Sequence, residues 1–190
     1  MALFRTVDSS VEPVSLVEAK NHMRVAHDSE DELISALIRA ARREVEQATS
    51  TALIVQSWRL ALDDWPKSEM VLLQRTPVRE ILSITIFDAD GAGSVLPPEH
   101  YQLDSFSRPA RLFLRRKPVP GLELNGIEID FLAGFGEAGT DVPDLLKRAI
   151  LMLVAHWYEF RGVYGAESQP VSFPDEYRRL ISVWRTPRLQ

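Results

Sequence analysis

Gly134, Gly136 and Gly139 stand in the order GxGxxG directly after an alternating apolar run. In a dinucleotide-binding fold such glycines let the amide end of a helix reach a pyrophosphate, so the helix must begin inside the motif. Here Thr140-Asp141-Val142-Pro143 intervenes, and proline suits the first turn of a helix that starts later. The spacing favours a strand-to-helix turn whose glycines supply positive backbone angles, with nucleotide binding as the alternative. His156 and Glu159 are three residues apart, a spacing at which one helix face can offer two ligands to a metal. No third ligand is placed by sequence, and His22, His27 and His100 are scattered. Asp63-Asp64 and Asp88/Asp90 are carboxylate pairs of the kind that does acid–base work when a site raises one pKa. Their neighbours, Trp65-Pro66 and Gly91, mark turns instead. No serine lies in a nucleophile elbow, and the chain has no cysteine, which excludes disulfides, thiolate metal ligands and cysteine nucleophiles. The expectation is no catalytic residue, no cofactor and no metal.

Two features point to contact rather than reaction. Arg115-Arg116-Lys117, with Arg108 and Arg111 upstream, is the densest basic stretch. It reads as a charged sheet edge that resists pairing, or as an electrostatic contact for an acidic partner or passing DNA. Trp184 lies in an aperiodic tail with Arg185 and Arg188. Tryptophan and arginine are the types enriched at interface hot spots, so the tail either docks on a partner or folds back on its own body.

The elements that must hold these residues follow from periodicity. The 190 residues suit one ordinary domain, or one with an insertion, and the 45% hydrophobic and 26% charged content is that of a globular chain. A net charge of −5 disfavours stable clamping of DNA phosphates. No run reaches the roughly 18 apolar residues of a membrane span, and the first residues lack an apolar signal core, so neither membrane insertion nor export is expected. Ser15 and Glu18 form a capping box that opens a helix with Leu16, Ala19 and Met23. Ser29 and Glu32 form a second, opening a helix over about 30–49. Leu33, Ile34, Leu37, Ile38, Ala41, Val45 and Ala48 supply its apolar face, with Arg39, Arg42 and Arg43 on the polar side.

After Thr51 the period changes to two. Trp58/Leu60/Leu62, residues 70–73, 81–87, Tyr101/Leu103, Leu112/Leu114 and 127–131 read as short strands, with Asp88-Ala89-Asp90-Gly91 as a turn. Seven prolines between 66 and 120 favour a small antiparallel sheet or barrel over βαβ units. Helix returns after Pro143, where Leu145, Leu146, Ala149, Ile150, Leu153, Val154 and Trp157 form a wide face, ending near Arg161-Gly162. A loop at 165–170 and a short helix over about 174–183, with Tyr177, Leu180 and Ile181, complete the pattern. The fold class is α+β: a helical bundle with an inserted antiparallel β module. The bundle comprises residues 12–52 and 141–183, the β module 53–135 and the tail 184–190.

The ordered set of these segments resembles the head–tail connector (adaptor) proteins of long-tailed phages and phage-derived particles. The segments are Glu12-Pro13-Val14-Ser15-Leu16-Val17-Glu18-Ala19-Lys20; residues 31–42 with Glu46; and Pro77-Val78 before a strand. They continue with Tyr101-Gln102-Leu103-Asp104, Ala133-Gly134-Phe135-Gly136, and Val142-Pro143-Asp144-Leu145-Leu146 running into His156-Trp157-Tyr158-Glu159. The resemblance implies a non-enzymatic virion component, assembled in the bacterial cytoplasm, that docks under the capsid portal as a ring, commonly of twelve. Such a ring extends the DNA channel and offers a platform to the next tail component, a stopper or tail terminator. The C-terminal segment of the family engages the portal, which would place Ile181, Val183, Trp184, Arg185, Thr186, Pro187, Arg188 and Leu189 in that interface. A ring of twelve would carry about −60, so DNA would slide through without stable binding. A nucleotide-binding protein or small enzyme using the glycine turn, and a DNA-binding packaging factor using Arg115, Arg116 and Lys117, are the alternatives.

Overall fold

Ser15 opens the first helix of this computed structural model, which describes residues 1–160 and 173–185. The Glu18 amide donates to Ser15 Oγ at 3.2 Å, and the Ser15 amide donates to the Glu18 carboxylate at 2.8 Å. This reciprocal cap starts α1, Leu16–Met23, which stops at Arg24 with a left-handed φ of 59°. The second helix, α2, spans Asp31–Thr49. Its expected cap is corrected: Ser29 Oγ pairs with the ring Nδ1 of His27 at 2.9 Å, and Glu30 takes the N-cap position with no capping side-chain bond. The nearby imidazole competes for the serine, while Asp31 and Glu32 still favour the helix dipole. Lys20 Nζ reaches Asp28 at 2.5 Å and Asp31 at 2.7 Å, tying α1 to the start of α2.

Pro143 sits at the N-cap of α3, Asp144–Glu159, and Pro174 at that of α4, Asp175–Ser182. α2 packs on α3, α4 packs on both, and α1 packs on α2 and α3. Ile34, Ile38, Ala41 and Val45 meet Leu146, Ala149, Ile150, Leu153 and Val154 in one core, which Tyr177, Leu180 and Ile181 close. Leu33 and Leu145 are corrected: each lies about 100° from its buried neighbour and is exposed. The expected end of α3 at Arg161-Gly162 and the loop at 165–170 lie outside the described residues.

The larger correction concerns Arg42. It does not lie on the polar side of α2; it is 2% exposed. Its Nε pairs with Glu12 at 2.8 Å and its guanidinium lies 3.6 Å from Glu46, which is also buried. Glu46 in turn accepts from the Leu53 amide at 2.9 Å. A charge so removed from water persists only with such partners.

The helices and their flanking turns, Ser10–Ile54 with the described part of Gly136–Gln190, form one compact unit; Met1–Ser9 and Val55–Phe135 form the other. The second unit holds eight strands. Five make an antiparallel sheet in the order β1 (Ala2–Val7), β2 (Gln56–Leu62), β8 (Ile127–Ala133), β4 (Val78–Phe87), β5 (Gly93–Val95). Three make a smaller antiparallel sheet, β3 (Met70–Leu73), β7 (Ala110–Leu114), β6 (Tyr101–Asp104). β8 alternates as its pattern predicts, with Ile127, Ile129, Phe131 and Ala133 buried. On its other face Asp130 accepts from Arg59 Nε at 2.7 Å and Nη2 at 2.8 Å, and Glu128 pairs with Arg59 at 2.8 Å. The turn at Asp88 forms as expected, its carboxylate accepting from the Asp90 and Ala92 amides, with Gly91 at φ 80°. β1 is not anticipated by pattern. Its alternation is weak, with Phe4 and Val7 exposed, and it forms because β2 offers a pairing edge.

Replacing Arg42 by methionine leaves two carboxylates facing an apolar wall. We expect a loss of about 3–5 kcal/mol in urea unfolding of the full chain. The exposed Arg39→Met should stay within about 0.5 kcal/mol of wild type. Equal effects of the two would overturn the account of Arg42.

Candidate functional site

The glycine run is occupied by its own backbone geometry. The Gly134 amide donates to the Pro77 carbonyl at 2.9 Å, and the Ala138 amide donates to Asp141 Oδ2 at 3.0 Å. A Cβ at Gly136 would sit 2.1 Å from that same carboxylate oxygen, which is why glycine is needed there. A three-residue 3-10 turn, Gly139–Asp141, follows, and α3 begins only at Asp144. Among the described residues no α-helix begins within the motif. An acidic side chain already takes the amide that would face a phosphate.

His156 is half-buried and its ring lies 5.0 Å from that of Phe160. Among the described residues no cluster of three or more potential ligands could hold a metal. Asp63, Asp64 and Asp88 each accept from backbone amides, Asp64 and Asp88 locally and Asp63 across the fold. Asp63 accepts from the Asn125 amide at 3.0 Å, and that bond holds its carboxyl below the ordinary value. Asp64 accepts from the Trp65 amide at 2.7 Å.

The basic stretch is split by its surroundings. Lys117 Nζ donates to the carbonyls of Pro66, at 3.0 Å, and Ser68, at 2.5 Å, so this lysine buttresses a turn. Arg115 and Arg116 are exposed, and Arg115 donates to Gln102 Oε1 at 3.4 Å across the β6–β7 hairpin. At the far end of that hairpin lies a residue that pattern reading passes over. Phe106 is 97% exposed. Asp104 shapes the loop that displays it, accepting from the Phe106 amide at 3.1 Å and the Ser107 amide at 3.3 Å through Oδ1. Its Oδ2 accepts from Ser107 Oγ at 2.7 Å and from Arg111 Nε at 2.9 Å. The Ser107 hydroxyl, and then Arg111, hold the Asp104 carboxyl down to about 2. The signal available beforehand was the Asp-Ser-Phe-Ser order, in which Asp caps a turn and places an aromatic at its tip.

A groove of about 800 Å³ runs along β3 in the same unit. Leu62, Met70, Val71, Leu72 and Phe113 line it, and Asp64 and Glu69 border it. Met70 and Leu72 are exposed apolar side chains on a strand whose outer edge carries no partner in this sheet.

At the C-terminal end, Ile181 is corrected as a docking residue: it is fully buried beneath α4, where the bundle core takes its side chain. Burial also pushes up the Tyr177 hydroxyl, whose ring stacks on Phe173 at 5.5 Å. Val183 is 78% exposed. Trp184 is half-buried, with its amide donating to the Ile181 carbonyl at 2.9 Å, and Arg185 is exposed. Thr186, Pro187, Arg188 and Leu189 lie outside the described residues.

The family model described as head completion protein matches residues 14–173 of this chain. The chain belongs to the head completion protein family. No curated protein matches it. Among solved structures, this head completion protein is similar to a chain in the virion of a native gene transfer agent particle, with 27% identity and a TM-score of 0.84. It is similar also to a chain in the neck of an empty gene transfer agent particle computed with C6 symmetry, at 28% and 0.84. A third similar chain, at 29% and 0.78, is in the neck of a native particle computed with C12 symmetry. Each likeness covers 100% of this chain and 98% of the other.

The Asp104 carboxyl gives a direct test of the loop. Its folded pKa lies below the ordinary 3.8, so its contribution is present above that value and is lost as pH falls towards about 2. In a carboxyl-detected NMR titration Asp104 should remain ionised at pH 3, and Asp104→Asn should broaden the amide signals of Phe106 and Ser107. Titration near 3.8 would show that the loop is not held as described.

Proposed function

We propose that this head completion protein is a head–tail connector of a phage-like particle, acting by docking and not by catalysis. The observation that carries the reading is the likeness, over the whole chain, to chains of gene transfer agent virions and necks. The C12 symmetry of one such neck supports a ring of twelve copies, set beneath the portal at the junction of head and tail. Repeated heterologous contacts close such a ring when the rotation per subunit divides a full turn. At −5 per chain the ring is acidic, which favours DNA moving through its channel over binding there. The opposite side of the ring serves as platform for the next tail component.

The C-terminal segment is the proposed portal contact. Val183 offers exposed apolar surface and Arg185 a charge immediately beyond α4, and residues 186–189 extend the same segment. Ile181 serves as its anchor within the bundle. Because the segment follows the last helix, its removal spares the core residues Tyr177, Leu180 and Ile181.

Cryo-electron microscopy of particles assembled with the wild-type chain should show it at the neck; particles lacking it there would overturn the connector reading. A chain truncated after Val183 should keep its helical circular dichroism and fail to join the portal. Normal incorporation of that truncation would move the portal contact elsewhere on the molecule.

A further inference from the structure

Phe106 and the β3 groove belong to one compact unit and to one three-stranded sheet. β3 forms one edge of that sheet, and the β6–β7 hairpin forms the other two strands. The register pairs Leu73 with Ala110 and Asp104 with Arg111, so the loop that displays Phe106 projects past that end of the sheet. The groove lies along β3 at the opposite edge, with Met70 paired to Phe113 in its lining. A knob and a hole at separate places on one rigid sheet cannot meet within one copy without refolding it. They can meet between copies, in a head-to-tail contact that repeats.

Three properties fit the two surfaces to each other. The first is polarity: an aromatic side chain brings about 150–250 Å² of largely apolar surface, and the groove, of about 800 Å³, has room for it together with its flanking loop residues and presents Leu62, Met70, Val71, Leu72 and Phe113. The second is charge. The loop end carries Arg108 beside the Arg111–Asp104 ion pair, whereas Arg115 and Arg116 stand at the other end of the hairpin, where the Leu114 amide donates to the Glu69 carbonyl at 2.9 Å. The groove is bordered by the carboxylates of Asp64 and Glu69; the Met1 ammonium at its rim is paired with Asp63 at 3.4 Å, and Lys117 Nζ is held by the Pro66 and Ser68 carbonyls. The third is preorganisation. Asp104 holds the loop through five donors, the Phe106 and Ser107 amides, the Ser107 hydroxyl and Nε and Nη2 of Arg111, so little freedom is lost on docking. A fully exposed phenylalanine costs solvation in the free chain, and a loop so firmly built to display it is consistent with a partner surface.

We propose that the groove along β3 takes Phe106 from a second copy of this chain, and that this knob-in-groove contact, repeated head to tail, is one of the contacts that closes the ring. The proposal rests on the ring reading above and names the surfaces that make it. Arg108 of the entering hairpin faces the Asp64 and Glu69 border, so salt weakens the contact.

The absence of cysteine makes the test direct. Ser105→Cys, next to the knob, and Ser68→Cys, in the groove lining, would be combined in one chain that keeps Phe106 and Met70, assembled into particles and treated with a short bis-maleimide. The expected result is a ladder of linked copies rising to the full ring on a denaturing gel. Each single variant should give no ladder, and a mixture of the two single variants should give linked pairs only. In parallel, Phe106→Ser should leave the monomer's circular dichroism and thermal unfolding unchanged and lower incorporation into necks at least tenfold. Incorporation of Phe106→Ser at the wild-type level, with no ladder from the double variant, would overturn the proposal while leaving the connector reading intact. Lost incorporation of Phe106→Ser with no ladder would show that the knob enters a different protein, which also overturns it. A wild-type chain missing from the neck altogether would instead be a failure of the connector reading.

Discussion

The buried guanidinium of Arg42 is the constraint around which the helical unit is arranged. Desolvating a charge costs several kcal/mol unless its partners are in place, so its position dictates what must surround it. Glu12 supplies one carboxylate from the segment that precedes α1. Glu46 supplies another, one turn further along α2, and its second oxygen accepts from the Leu53 amide beyond the helix end. One cluster thus binds the entry to α1, the body of α2 and the segment leaving it. Ser50, with a left-handed φ of 55°, makes the turn that brings Leu53 back. Thr49 donates to the Val45 carbonyl and meets Thr51 Oγ1 at 2.7 Å, so the polar groups at this buried helix end are paired with each other.

The β unit uses charge differently. Its central strand, β8, pairs with β2 on one side and β4 on the other. The face that is not core carries Arg59, Glu128 and Asp130 in a partly exposed network, where the pairing costs less desolvation. Charge here decorates a sheet that apolar burial already specifies. In the helical unit, by contrast, charge chooses which packing of α1 and α2 is allowed.

A connector needs a stable body and surfaces that remain unsatisfied until assembly. The described residues show both. The cores of the two units are filled by aliphatic and aromatic side chains, while Phe106, Met70, Leu72 and Val183 keep apolar surface in water. Such surface in a free chain is a liability for aggregation and an asset in an assembly. Asp64 and Glu69 at the groove border and Arg108 in the hairpin loop limit which surfaces can meet, since like charges brought together oppose a wrong contact. Among the residues whose types suggest chemistry, Gly136 abuts the Asp141 carboxylate, His156 lies against Phe160 and Asp64 accepts from the Trp65 amide.

Local patterns in the residues determined most of the elements. Ser15 with Glu18 marked a helix start, the 3.6-residue period marked α2 and α3, and alternation marked β8, because each of these signals is a short-range consequence of backbone geometry. The order of segments also carried the resemblance to head–tail connectors. What the sequence could not decide was long-range. Arg42 has the same local pattern as the exposed Arg39 and differs only in what packs against it, namely Glu12, thirty residues away. Strand β1 has weak alternation of its own and exists because β2 pairs with it. Ser29 resembles a cap until His27 takes its hydroxyl. Phe106 reads as any apolar residue between strands, and only the folded hairpin sets it in open water. Burial, pairing and exposure depend on which distant groups arrive, and that is decided when the chain closes on itself.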